Sequence, residues 1–217
     1  MSIDTIKNKR IKIVIDTDIG DDVDDAFAIA LALKTEEIDV LGITTVYKNC
    51  AIRAKILKQQ LEAFNKSEIP VYTGADENLK GIYSRFPYEK SGKDGKPVMT
   101  AYDESMKDYT ADGNDAAEKL LEIAEKNAGE VTLVAIGPLT NVATAIKKDP
   151  ERFKKFKNVI MMGGCSKNQR EWNILCDPEA ASKCPGVIAG VVESVPAGER
   201  AVIANGVNVL AMGAFYV

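Results

Sequence analysis

Between residues 16 and 25 the chain places six carboxylates: Asp16, Asp18, Asp21, Asp22, Asp24 and Asp25. They follow a short β-branched run, Ile11-Lys12-Ile13-Val14-Ile15, and lead into a helical stretch. Like charges so crowded repel one another, and a divalent cation would compensate them. A donor set made only of oxygen suits a hard ion such as Ca²⁺ or Mg²⁺. Gly20 permits a tight turn or a close approach of backbone to ligand, and a helix N-terminus favours Asp24 and Asp25. An N-cap at Asp24 would account for one aspartate but not for six. The spacing is not that of an EF-hand, whose repeated D-x-D and closing Glu are missing.

The rest of the composition narrows the chemistry. The 217 residues contain no histidine, which excludes a Ser-His-Asp triad, a histidine zinc site and a histidine general acid within the chain. The net charge is −4, where a nucleic-acid binder would show a basic domain or stripe. The four cysteines, Cys50, Cys165, Cys176 and Cys184, form no C-x-x-C pair and read as reduced thiols. Met1 to Arg10 is polar, and the apolar run after it is too short for a signal segment or a membrane span. The expectation is a cytoplasmic protein with no membrane partner.

Around the acidic cluster, short apolar runs alternate with helical stretches. Strands are expected at Ile11–Ile15, Val40–Val46, Ile69–Tyr72, Val131–Ile136 and Val159–Met162. Helices are expected at Asp24–Lys34 (Ala26, Ala30 and Leu33 on one face), Ala51–Asn65 (Ile52, Ile56, Gln59 and Ala63 in a stripe), Asn114–Asn127 and Leu139–Lys148. This β-α-β-α order predicts an α/β fold: an open, mostly parallel sheet with helices on both faces, its ligand site outside the carboxyl ends of the strands. Asp76 to Asp112 shows no period and reads as a flap near a site. Residues 1–184 form the α/β domain. Residues 185–217 are an Ala/Gly/Val-rich tail with three charged residues in 33, against 57 in the first 184. The tail reads either as strands at the sheet edge, at Val187–Val192 and Ala201–Val209, or as foreign sequence from a change of reading frame.

Five motifs in order, from residue 11 to about 184, resemble the inosine/uridine-preferring nucleoside hydrolase family. They are Asp16-Thr-Asp18-Ile-Gly20 with Asp24-Asp25-Ala26, Thr44-Thr45-Val46 with Asn49, Gly137-Pro-Leu-Thr-Asn141, Met161-Met-Gly-Gly164, and Glu171-Trp-Asn173 with Asp177-Pro-Glu-Ala-Ala181. The resemblance implies a Rossmann-like core and calcium-dependent hydrolysis of the N-glycosidic bond of ribonucleosides. It implies Ca²⁺ ligands at Asp18, Asp25 and the carbonyl of Ile136, with Asp18 also the general base on water held by the metal. Asp24, Asn49, Asn168, Glu171 and Asn173 would hold ribose hydroxyls, and Asp16 and Asp177 would support. The partner is then a small ribonucleoside, and members often form dimers or tetramers.

Two features depart from the family pattern. Its C-terminal part brings a further metal-binding Asp, beside a His in many members, and neither has a counterpart after Cys184. A non-catalytic ribose-binding protein is therefore an alternative. A haloacid-dehalogenase-like phosphatase with Asp16 as nucleophile is another, but it has no place for Asp24-Asp25 or Glu171-Trp-Asn173.

Overall fold

The computed structural model describes residues 10–82, 90–163 and 171–182, and the backbone of two later strands at 189–192 and 209–212. Asn168, Gly164, Cys165 and Cys184 lie outside the described residues.

In chain order the elements are β1 (Ile11–Thr17), α1 (Asp24–Lys34), β2 (Ile38–Thr45), α2 (Cys50–Ala63) and β3 (Val71–Thr73). A short antiparallel pair follows, β4 (Lys90–Ser91) and β5 (Pro97–Val98), then a single 3₁₀ turn at Glu104–Met106. Next come α3 (Ala116–Lys126), β6 (Thr132–Ala135), α4 (Thr140–Lys148), α5 (Pro150–Phe153) and β7 (Asn158–Met162). The last elements are α6 (Trp172–Cys176), α7 (Pro178–Ser182), β8 (Ala189–Val192) and β9 (Val209–Met212). Seven strands form one sheet in the order β3-β2-β1-β6-β7-β9-β8, and every pairing in it is parallel.

Alternation along each strand sends its side chains to two cores. Val14, Leu133, Ala135 and Met161 pack with Leu120, Leu121 and Ala124 of α3 and with Val142 and Ala145 of α4. Ile13, Ile15, Ile43 and Val71 pack on the other side with Ile29 of α1 and with Ala54, Leu57 and Leu61 of α2. Helices on both faces of a parallel sheet make the expected three-layer α/β architecture. The chain leaves β1 toward β2 and β3 on one side, while β6 and β7 lie on the other. The reversal between β1 and β6 is where such sheets open a crevice.

Three local readings change. On α1 the fully buried residues are Asp25, Ile29 and Ala32, while Ala26 and Leu33 of the expected face pack partly buried against the same core. The helix is apolar nearly all round, so its period selects no face, and Phe27 and Leu31 remain exposed. On α2 the buried residues are Cys50, Arg53, Ala54, Ile56, Leu57 and Leu61; of the expected stripe Ile56 is buried, Ile52 packs partly buried against the same core, and Ala63 is exposed. A buried arginine hid the rest of the buried face from a pattern search. The segment after Asp76 carries structure of its own. Met99 and Met106 are buried in the α1/α2 core, the Ala101 N–H donates to the Gly20 carbonyl at 2.9 Å, and Lys96 pairs with Asp76. In the tail, β9 pairs with β7, and β8 follows at the edge. β8 ends at Val192, as the first apolar run does, and β9 begins at Val209, where the second run ends; residues 187–188 and 201–208 lie outside the described residues. Among the described residues no helix is long and apolar enough to cross a membrane.

Candidate active site

Strand parity sorts the first aspartates. Asp16 shares a face with Val14 and so turns toward α4. It is fully buried, and its Oδ1 accepts from Thr44 Oγ1 at 2.6 Å and from Asn141 Nδ2 at 2.8 Å. Among the described residues its Oδ2 has no hydrogen-bond partner. Burial outweighs those two hydrogen bonds and the Asp18 charge adds to it, so the carboxyl titrates at about 7. Thr17 points the other way, toward α1, and its Oγ1 donates to Asp25 Oδ2 at 2.8 Å. Asp18 lies just past the end of β1, partly buried.

Asp18 and Asp25 lie side by side, and both carboxyls are pushed up. For Asp18 the causes are burial first, opposed by the Arg53 guanidinium and aided by Asp21, and its carboxyl titrates at about 6. Asp25, which is buried, is raised by burial and then by the Asp18 charge. Asp22 is raised to about 7, chiefly by its hydrogen bond with Asp24. Asp24 is exposed at the first position of α1, and its Oδ1 accepts from the Asp25 N–H at 3.0 Å. The N-cap position itself belongs to Val23, with no side-chain bond, so capping explains none of the six carboxylates.

The downstream motifs arrive at the same end of the sheet. Ile136 and Gly137 follow β6, and their N–H groups donate to the Asp16 carbonyl at 2.8 and 3.3 Å. Asn173 is buried on α6, and its Nδ2 donates to the Ile136 carbonyl at 2.7 Å and to the Met162 carbonyl at 3.2 Å. Glu171 caps α6, accepting from the N–H groups of Asn173 and Ile174 at 2.8 and 3.0 Å. Asn49 caps α2 through Ile52 N–H at 3.3 Å, while its Nδ2 donates to the Pro97 carbonyl at 3.2 Å. Asp177 is buried and accepts from Thr140 Oγ1 at 2.7 Å and from the Leu79 and Ala180 N–H groups. The thiols nearby are inert by environment. Cys50 and Cys176 are free and buried; burial pushes both up, Cys176 to about 12.

Some of the residues that organise this end escaped the sequence reading. Asn141 reads as a turn or capping residue, yet its amide joins Asp16, the Thr45 carbonyl at 3.0 Å and the Ala75 N–H at 3.0 Å. A Cβ on Gly74 would collide with that amide. Lys48 and Arg53 are fully buried and both bond Asp21. The one signal for Arg53 was a charge on an otherwise apolar helix stripe.

The donor chemistry fits a hard cation. Asp18 and Asp25 offer adjacent carboxylate oxygens in a partly water-excluded place, where a divalent ion would compensate their charges. The Ile136 carbonyl keeps a second lone pair beside its bond from Asn173. Among the described residues no three carboxylates or thiols already converge as a metal site. Gly137 fixes the approach of Asp18. A Cβ there would lie 2.7 Å from Val46 Cγ1, 2.8 Å from the Asp18 nitrogen and 3.1 Å from Asp18 Oδ1. Gly137→Ala is therefore expected to cost about 1–3 kcal/mol of stability and to weaken calcium binding, as thermal melts and calorimetry would read.

Comparison with known proteins gives one consistent family. The model described as inosine-uridine preferring nucleoside hydrolase matches residues 13–186. Uridine nucleosidase 1 of Arabidopsis thaliana is 38% identical over 186 residues, covering 81% of this chain and 53% of that protein. The pyrimidine-specific ribonucleoside hydrolase RihB of Escherichia coli is 34% identical over 179 residues, covering 78% and 54%. Among solved structures, the plant nucleoside hydrolase PpNRh1 superposes with a TM-score of 0.65 at 31% identity, covering 93% of this chain and 59% of that one. The chain spans about half the length of the curated relatives it matches.

Proposed function

Because this chain belongs to the inosine-uridine preferring nucleoside hydrolase family, we propose that it carries the cation- and ribose-binding part of a calcium-dependent ribonucleoside hydrolase. The reaction breaks the C1′–N bond of the nucleoside and gives ribose and free base. The observation that carries this reading is the adjacent Asp18 and Asp25 carboxylates at the β1/β6 reversal.

Asp18 and Asp25, with the Ile136 carbonyl, would hold the ion. Calcium, when bound, would polarise the attacking water and orient ribose hydroxyls. Asp18 accepts the proton of that water as its oxygen attacks C1′. The bond pair leaves with the base, which takes a proton from solvent, since the chain has no histidine to supply one. The anomeric carbon passes through an oxocarbenium-like state, which the carboxylates at the end of β1 stabilise. Asp24, Asn49, Asn168, Glu171 and Asn173 orient the ribose. Holding the sugar in one pose can supply several kcal/mol of the barrier reduction. For Asn49 and Asn173 this requires that amides now bonded to Pro97, Ile136 and Met162 share or exchange a partner. Asp16 and Asp177 act in support. Uridine is the first substrate to try, since relatives named for uridine and pyrimidine ribonucleosides match.

The test is ribose release from uridine and inosine by folded protein, with calcium and with chelator. Calcium-dependent ribose supports hydrolysis. Nucleoside binding without ribose supports the second reading, a ribose-binding protein. A separate check needs no turnover. Calcium at about 100 times its Kd should add roughly 2.7 kcal/mol to stability, raising the melting temperature by about 5–10 °C, and chelator should reverse the rise.

A further inference from the structure

Two buried cations sit beside the carboxylate cluster without a part in the chemistry above. Arg53 is fully buried on α2. Its Nε donates to the Tyr47 carbonyl at 2.8 Å, one terminal nitrogen donates to the carbonyls of Asp18 and Ile19 (2.7 Å to Ile19), and the other donates to Asp21 Oδ2 at 3.0 Å. Lys48 is also fully buried. Its Nζ lies 3.4 Å from the same Asp21 oxygen and 5.5 Å over the Trp172 ring.

The surroundings point to a holding role. Tyr47 and Lys48 both have left-handed backbone, at φ 71 and 66, a conformation disfavoured for side-chain-bearing residues. Backbone bonds from Tyr47 to Ala75 and from Lys48 to Asp76, at 2.7 and 2.6 Å, keep it there. That corner sends the Lys48 side chain inward to the acidic turn. Arg53 grips the same turn along its backbone, at residues 18 and 19. Burying two cations is unfavourable unless they are paired and hydrogen-bonded. Here one carboxylate, Asp21, is shared by both. Without that grip, repulsion among the carboxylates of residues 16–25 would open the turn.

We infer that Lys48 and Arg53 are positioning residues: they clamp Asp21 and the Asp18–Asp21 turn so that Asp18 and Asp25 stay together for a divalent cation. The inference rests on the cation-site reading of the proposed function. It also differs in sign from simple charge compensation. Coulomb's law alone says that a buried ammonium near the site disfavours Ca²⁺, so removing it should tighten binding. A clamp predicts the opposite.

The experiment is calcium titration by calorimetry on the 217-residue chain and on Lys48→Met, Asp21→Asn and the double variant, each first shown folded by circular dichroism. Lys48→Arg serves as the conservative variant. Each single change is expected to weaken calcium by about 10- to 100-fold, the usual effect of losing a group that orients metal ligands. The double variant should be no worse than the weaker single, because one interaction is lost in both. Lys48→Arg should restore most of the affinity. If Lys48→Met fails to fold, Lys48→Gln, which keeps a polar end, takes its place: Coulomb's law alone predicts tighter calcium for it and the clamp predicts weaker. Unchanged or tighter binding in Asp21→Asn or Lys48→Met, with calcium bound normally by the parent chain, overturns the clamp alone. A parent chain that binds no calcium overturns the cation-site reading and the clamp with it.

Discussion

Asp18→Asn should abolish calcium binding and lower ribose release by at least about 10³-fold, because one substitution removes a metal ligand and the proton acceptor together. The asparagine is nearly isosteric, so the geometry around it survives. Gly137 still packs against the same backbone, and Arg53 still reaches the Asp18 carbonyl. The same change should stabilise the calcium-free protein. Asp18 sits against Asp25 with Asp21 close by, and burial already disfavours its charge. Removing one of these repelling carboxylates is expected to be worth about 1 kcal/mol, or 2–4 °C in melting temperature for a chain of this size. Lost activity with a raised melting temperature marks a site whose charges are kept together for function at the expense of stability. An Asp18→Asn protein that melts earlier than the parent, or still releases ribose at a comparable rate, would count against the assignment.

Asn141→Ala should have the largest effect on the fold. Its amide satisfies three buried groups on three segments: Asp16 at the end of β1, the Thr45 carbonyl at the end of β2 and the Ala75 N–H after β3. Truncation strands them in a place where Gly74 already crowds the amide and where Asp16 Oδ2 already lacks a hydrogen-bond partner among the described residues. Unsatisfied buried groups cost about 1–3 kcal/mol each when water cannot reach them. A total loss of about 3 kcal/mol is expected, visible as a fall of roughly 10 °C in the melting temperature. Asn141→Asp should not rescue it, because the retained Oδ1 serves only Ala75 while the other oxygen faces Asp16 without a proton to donate. A loss below about 0.5 kcal/mol for Asn141→Ala would mean that the three segments are held by other contacts. Catalysis is expected to fall with stability here, since Asp16 anchors the strand end from which Asp18 projects.

By itself, the sequence determined the class of fold and the location of the site. Alternating β-branched runs and helical stretches give β1, α1, β2, α2, α3, β6, α4 and β7 close to their observed bounds, because strand and helix periods are local properties of the chain. Six aspartates in ten residues after a strand suggest a cation site by electrostatics alone, and the ordered motifs through Asp177 carry the family. Which side chains hold that site together was decided only by the tertiary structure. Asp16 meets Asn141 across 125 residues because parity turns it toward the α4 face, and no local pattern encodes which strand will lie beside β1. Arg53 and Lys48 look like surface charges in a one-dimensional reading. They are buried because the left-handed corner at Tyr47-Lys48 and the stripe of α2 bring both against Asp21. Asn49 and Glu171 read as sugar contacts, and the fold uses both as helix caps as well. Hydrophobic and charge patterns report which face of an element turns inward. The partner a buried polar group finds depends on strand order and helix docking, which form only when the whole sheet closes.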